Sequence, residues 1–209
     1  NVTLGVWGIH NSLLPKYRGG SPLVWQLINK EKVIGSSFFK FSNGMDDGVI
    51  LDQVKIDNAD KMTIGEASDS LERAWISKIP KIWSDFCKGD INPVEQNHSE
   101  ASYCAQRQET DGFIDWTLNA KDIDAFIRAQ DTPYPRAFFK FNHKVVRIVD
   151  HSVDRREIFG TCGQVFQIID KSVVICCGDS TAIQISKVLI DGRTVDASDI
   201  VNSIKIRLN

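Results

Sequence analysis

The residues best suited to chemistry lie in the segment GIHNSLLPKYRGG at positions 8–20. His10 ends an apolar run, which predicts a position at the accessible carboxyl end of a strand, where open α/β sheets bind their ligands. A neutral imidazole can take up a proton, and a charged one can stabilise a developing oxyanion. The alternative is a hydrogen-bonded structural histidine, and position alone does not separate the two.

A carboxylate partner for His10 is offered by the turn NGMDDG, which contains Asp46 and Asp47. A carboxylate there can orient the imidazole and favour its charged form. Carboxylates in glycine-rich turns also act as turn formers or as solvated charges. We expect the side chains of Asp46 and His10 to converge to within about one water-bridged hydrogen bond of each other.

The elements that hold these residues follow from the hydrophobic pattern. The run VTLGVWGI predicts a strand buried in a parallel sheet with neighbours on both sides. Ser21 and Pro22 predict the start of a helix that ends near residue 31. VIGSSFFKFS and VILDQVKI predict two adjacent strands, and the Thr63–Glu66 spacing is typical of a capping box that begins a long amphipathic helix.

The second half of the chain has a different pattern. Residues 91–135 form a polar linker that leads into a short helix near 120–129. Five short alternating stretches then predict a small β-domain, a barrel or sandwich, over 136–209. The fold class is therefore α/β followed by β.

Composition excludes several function classes. The net charge of −2 and the pI of about 6.1 give no global basic field for non-specific nucleic-acid binding. Five cysteines without CxxC spacing favour reduced thiols and a cytoplasmic protein. No apolar run approaches the ~20 residues of a membrane span, so no membrane partner is expected. The remaining histidines have no ligand spacing, and we predict no metal site.

Three separated segments carry a resemblance to a known family. HNSLLPKYRGGSPLVW resembles the HPSLLPKYRG signature of the formyltetrahydrofolate-dependent formyltransferases, which include methionyl-tRNA formyltransferases and amino-sugar N-formyltransferases. GMDDGVIL resembles the family's GLDTGDIL segment, and DGFIDWTLNAKDIDAFIRAQDTPYPRAFF resembles the passage that joins its two domains. The order of the three segments is also that of the family.

The resemblance implies a domain organisation. Residues 1–90 would be the C-terminal part of a Rossmann-like catalytic domain, 91–135 a linker and helix, and 136–209 an OB-like β-barrel. Because the first strand needs neighbours and Asn1 is not methionine, we expect the N-terminal part of the catalytic domain to lie upstream.

The resemblance also implies roles for individual residues. N10-formyltetrahydrofolate would be the co-substrate, with His10 and Asp46 catalytic. The segment that borders the folate is matched by four residues, Ser12, Leu13, Leu14 and Pro15.

The family's asparagine position is Gly8, which leaves its side-chain amide absent. Asn11 is a candidate replacement as an oxyanion contact, although in a strand it would face away from His10, and a turn or cap role is its alternative. Arg18 either fixes its loop or meets an anionic ligand.

The charge of the C-terminal half of the chain indicates which amine acceptor to expect. Residues 101–209 contain 14 Lys and Arg against 14 Asp and Glu, whereas a tRNA-binding domain is expected to be basic. We therefore expect a nucleotide-linked amino sugar as substrate, with initiator methionyl-tRNA as the alternative. A non-catalytic folate-binding or interaction remnant is the third interpretation, and the sequence leaves a homodimer open.

Overall fold

The computed structural model describes residues 5–58 and 62–208. The chain divides into two compact units, Asn1–Arg107 and Gln108–Asn209. The predicted order of an α/β part followed by a β-rich part is confirmed. The boundary between the two units follows Arg107 and lies inside the segment 91–135, which was expected to be a linker and a helix.

The first unit contains a small antiparallel sheet in the order β1-β3-β4. Its elements are β1 (Trp7–His10), β2 (Arg18–Gly19), α1 (Pro22–Ile28), β3 (Val33–Lys40), β4 (Ile50–Asp57), α2 (Ile64–Lys88) and β5 (Tyr103–Cys104). Two of these strands, β2 and β5, pair with each other in parallel.

The first strand differs from its prediction. Within the described residues, β1 pairs antiparallel with β3 and with no parallel neighbour. Gly5 has a φ of 79°, a left-handed conformation that interrupts the extended run. Residues 2–4 of the predicted strand lie outside the described residues.

Helix α2 begins with the predicted capping box. The Thr63 hydroxyl accepts from the Glu66 N–H, and the Glu66 carboxylate accepts from the Thr63 N–H. The first half of the helix buries Leu71 and Trp75, and the helix continues through Pro80 to Lys88, with Gly89 as its C-cap. Its second half leaves Trp83 70% exposed beside an apolar groove of about 410 Å³.

Helix α1 is shorter than predicted, and Ser21 does not cap it. Ser21 has a φ of 52°, and its side chain makes no cap hydrogen bond. Its hydroxyl oxygen accepts from the Arg107 N–H at 3.2 Å instead. Ser21, at the start of α1, is thus hydrogen-bonded to the last residue of the first unit.

The polar stretch after α2 is an integral part of the first unit. Val94 forms an antiparallel bridge with Ile50 at the start of β4. Further along, the N–H of Arg18 donates to the Ser102 carbonyl at 2.8 Å, next to the β2–β5 pairing. This stretch therefore lines the loop that contains Arg18 and the two glycines.

The second unit is built on an antiparallel sheet in the order β6-β7-β10-β9-β8, with β11 paired to β10. Its elements are α3 (Ala120–Ala129), β6 (Phe138–Phe141), β7 (Lys144–Asp154), β8 (Val165–Ile169), β9 (Ser172–Cys176), β10 (Ala182–Ile190), β11 (Arg193–Asp196) and α4 (Ala197–Ile200). The helix α3 has the predicted bounds, is capped by Asn119, and packs on β7 and β10. No helix in the described ranges is long and apolar enough to cross a membrane.

Candidate active site

His10 is the last residue of β1 and lies opposite Ser37 of β3. The residue is 9% exposed, less than expected for a sheet edge, and its ring contacts Phe39 edge-on at 6.2 Å between centroids. Its Nε2 lies 2.8 Å from the Tyr17 carbonyl oxygen, and its Nδ1 lies 3.6 Å from Oδ2 of Asp46. The structure therefore brings together the two residues expected to converge.

Asp46 is positioned by the turn between β3 and β4. Its φ is 49°, a left-handed value that aspartate tolerates better than most residues. Its Oδ2 accepts from the Gly19 N–H at 2.7 Å, which directs the carboxylate toward β2. Asp47 instead accepts from the hydroxyl of Ser42 within the turn. The two neighbouring carboxylates thus have separate roles, one beside His10 and one in the turn.

The partners of the imidazole determine where a proton can go. Because a carbonyl oxygen only accepts, Nε2 of His10 donates to Tyr17, and a neutral ring has its lone pair on Nδ1. That lone pair faces Asp46 at a distance longer than a normal N–H···O bond. A proton taken up at Nδ1 would convert this contact into a charge-assisted hydrogen bond. The pair can therefore accept a proton and stabilise the resulting charge.

The segment predicted to border the folate is only partly accessible. Ser12 and Leu14 are buried, and the Ser12 hydroxyl donates to the Lys16 carbonyl at 2.6 Å. The Leu14 N–H donates to the hydroxyl of Ser37 at 3.0 Å. The Ser12 hydroxyl and the Leu14 N–H thus stabilise the loop, whereas the side chains of Leu13 and Pro15 are half-buried and leave surface for a ligand.

Asn11 does not stand beside His10. Its side-chain oxygen accepts from the Ser36 hydroxyl at 3.1 Å. Adjacent residues of a strand face opposite sides, so Ser36 lies on the face opposite to Ser37 and His10. The side chain of Asn11 therefore makes a structural hydrogen bond, and its role as an oxyanion contact stays a prediction.

Arg18 is buried, with 2% exposure, and is not presented to a ligand. Its Nε and Nη2 donate to Oε1 of Gln96 at 3.2 and 2.6 Å, and Nη2 lies 3.1 Å from Nδ1 of His98. Of the two roles considered for Arg18, the structure thus supports the structural one. Gln96 and His98 were missed because a polar stretch without periodicity gives no signal for a buried contact.

Two further protonated groups adjoin the pair. Burial and a hydrogen bond to Glu31 raise the pKa of Tyr17 to about 12. Burial and the charge of Asp46 raise the pKa of Cys104, whose thiol lies 3.5 Å from the Tyr17 carbonyl oxygen. Neither group is activated as a nucleophile near neutral pH. Among the described residues, no cluster of three His, Cys, Asp or Glu side chains could hold a metal ion.

Comparison with known proteins matches both units. Residues 1–80 match the formyl transferase family, and residues 107–205 match the formyl transferase, C-terminal domain family. A methionyl-tRNA formyltransferase from Clostridium novyi (strain NT) is 32% identical over 171 residues, which cover 82% of this chain and 55% of that protein. The chain spans little more than half the length of the curated relatives that it matches.

Solved structures share the fold. HypX from Aquifex aeolicus in complex with tetrahydrofolic acid has a TM-score of 0.70 at 18% identity, over 93% of this chain and 34% of HypX. An N-formyltransferase from Helicobacter canadensis in complex with folinic acid and dTDP-3-aminofucose has a TM-score of 0.66 at 19% identity, over 86% of this chain and 65% of that enzyme.

Proposed function

The chain belongs to the formyl transferase family, and we propose that it transfers the formyl group of N10-formyltetrahydrofolate to the amine of a nucleotide-linked amino sugar. The observation that carries this proposal is the placement of Nδ1 of His10 at 3.6 Å from Asp46, at the end of β1. Leu13 and Pro15, half-buried in the loop that follows His10, would border the folate.

The residues of the pair have distinct tasks in this reaction. The bound folate supplies an activated formyl carbonyl, and attack by the amine forms the new C–N bond while an amine proton must leave. Nδ1 of His10 accepts that proton, and Asp46 stabilises the imidazolium. The charged ring stabilises the oxyanion and returns the proton to the folate nitrogen as the old C–N bond breaks.

The charge of the second unit supports a sugar acceptor. Residues 108–209 contain 13 Lys and Arg and 14 Asp and Glu, so this unit has no net positive charge with which to attract a polyanion. Methionyl-tRNA is the second candidate, favoured by the 32% identity with the Clostridium novyi enzyme. A non-catalytic folate-binding role is the third, favoured by a glycine at position 8, next to a half-exposed Phe41 ring.

The test compares acceptors. The product of the complete gene and the 209-residue chain would be incubated with N10-formyltetrahydrofolate and either thymidine- and uridine-linked amino sugars or methionyl-tRNA. We expect a formylated sugar by mass spectrometry, and its loss in Asp46→Asn. Turnover of the tRNA alone would replace the sugar proposal, and folate binding without turnover of any amine would favour the non-catalytic role.

A further inference from the structure

Gln96 connects Arg18 to the turn that contains Asp46. Gln96 is 5% exposed, and its Nε2 donates to the main-chain carbonyls of Asp46 at 2.8 Å and Gly48 at 2.7 Å. Its Oε1 accepts both hydrogen bonds from Arg18. A guanidinium only donates and a carbonyl only accepts, so the partners fix the orientation of the amide. Every polar atom of this side chain is satisfied.

The turn needs this contact because it has no core of its own. None of residues 41–49 is buried, and five of them are exposed. The position of Asp46 therefore depends on polar contacts rather than on packing. Two hydrogen bonds reach Asp46, from Nε2 of Gln96 to its carbonyl and from the Gly19 N–H to its carboxylate.

Both contacts lead back to the same short strand. Arg18 and Gly19 together form β2, so this strand holds Asp46 at the carboxylate directly and at the backbone through Gln96. A glutamate at position 96 could pair with Arg18 but could not donate to two carbonyls. An apolar side chain could do neither. Glutamine is the residue that accepts on one side and donates on the other.

We propose that Gln96 is a positioning residue that holds the Asp46 carboxylate against His10, with Arg18 as its anchor. The catalytic consequence rests on the formyl transfer proposed above, whereas the geometric consequence does not. Loss of the Gln96 amide would free the turn, and the carboxylate would leave both Nδ1 of His10 and the N–H of Gly19.

The kinetic test uses two variants and a matched control. Gln96→Met keeps the length and removes all four hydrogen bonds, and Gln96→Glu keeps only the acceptor for Arg18. We expect kcat to fall ~10- to 100-fold in both variants, as misplacement of a catalytic group does, with little change in the KM of the amine. Gln130→Met, a substitution of a buried glutamine in the second unit, should leave kcat unchanged.

A second measurement does not depend on activity. The Gly19 N–H donates to the Asp46 carboxylate, so its exchange rate indicates whether that carboxylate is in place. The exchange rate of the Gly19 amide should rise ~10-fold or more in both Gln96 variants, while amides of β3 stay protected. Unchanged Gly19 exchange would overturn the positioning proposal even if the variants lose activity. If wild-type protein formylates no amine, the proposed function fails, and the exchange data alone then decide the role of Gln96.

Discussion

The ring of Phe41 covers Gly8. A Cβ built on Gly8 would lie 2.4 Å from Cζ of Phe41 and 2.8 Å from its Cε1. Gly8 and His10 share one face of β1, and the rings of Phe41 and His10 both contact Phe39, at 5.2 and 6.2 Å between centroids. The family resemblance implies an asparagine side chain at position 8. A phenyl ring cannot donate to an oxyanion, so this chain lacks one expected donor.

Restoring the donor should raise the rate of transfer. Phe41 is half exposed, so its ring can turn away from a Gly8→Asn side chain. We expect the rate of single-turnover formyl transfer to rise ~10-fold or more, up to the ~10²- to 10³-fold that one oxyanion donor contributes. Gly8→Ala adds the same Cβ without the amide and should give no gain. Equal rates in the two variants would contradict the role assigned to the donor.

Substitutions of His10 should separate catalysis from stability. Because His10 is buried against Phe39, His10→Ala should destabilise the first unit by about 1–3 kcal/mol as well as remove the base. His10→Gln retains more of the side chain, and we expect it to lower kcat on the order of 10²- to 10⁴-fold. Urea unfolding and kcat, measured together, check both effects. A His10→Gln rate within a few-fold of wild type would remove the catalytic assignment.

The features that the sequence could predict depend on local signals. The capping box at Thr63 and Glu66 involves residues only three positions apart, and helices α2 and α3 begin where predicted. The convergence of His10 and Asp46 was also expected, because each lies where a predicted strand ends or begins.

The features that were missed depend on contacts between distant residues. Gln96 bonds to residues 50 and 78 positions away, and nothing in its own neighbourhood indicates either contact. The polar stretch therefore resembled a linker. The burial of Arg18 was missed for the same reason, since its partners come from that stretch.

Asp124 should make the stability of the second unit depend on acid pH. Burial by itself would raise its pKa, but the hydrogen bond to His151 and the charge and hydrogen bonds of Arg128 outweigh burial and lower the pKa below 3.8. A carboxyl group whose pKa is lower in the folded state stabilises the fold at pH values above its unfolded-state pKa. This stabilisation is lost as the pH falls through the folded-state pKa. Asp124→Asn should therefore lower the free energy of unfolding at pH ~6, and by less below pH ~4.

Urea unfolding of wild type and Asp124→Asn across this range measures the difference. Asp191→Asn is the matched control, because Asp191 pairs with Lys144 at an exposed site and should matter little at any pH. A deficit for Asp124→Asn that stays constant from neutral to acid pH would argue against this linkage.

Cys104 should react slowly with thiol reagents. Its pKa is raised by burial and by the charge of Asp46, so less thiolate is present at pH ~8 than for an unperturbed cysteine. Cys87 is exposed and should be alkylated first. Peptide mapping by mass spectrometry after timed alkylation checks the order. Asp46→Asn should increase the rate of Cys104 alkylation. Equal alkylation rates in wild type and variant would show that the carboxylate does not influence this thiol.

The salt dependence of transfer should distinguish the two acceptors. A nucleotide-linked sugar carries only a compact pyrophosphate, so few phosphate contacts form and kcat/KM should fall gently as salt rises. A tRNA would have several phosphates neutralised by Lys and Arg, and log affinity would fall by about 0.9 per contact for a B-form duplex. Because residues 101–209 have equal numbers of basic and acidic side chains, we expect the gentle slope. Measuring turnover of both acceptors from low to physiological salt tests this expectation. Efficient turnover of methionyl-tRNA that depends steeply on salt, with every sugar rejected, would overturn the sugar assignment and leave the chemistry at His10 and Asp46 in place.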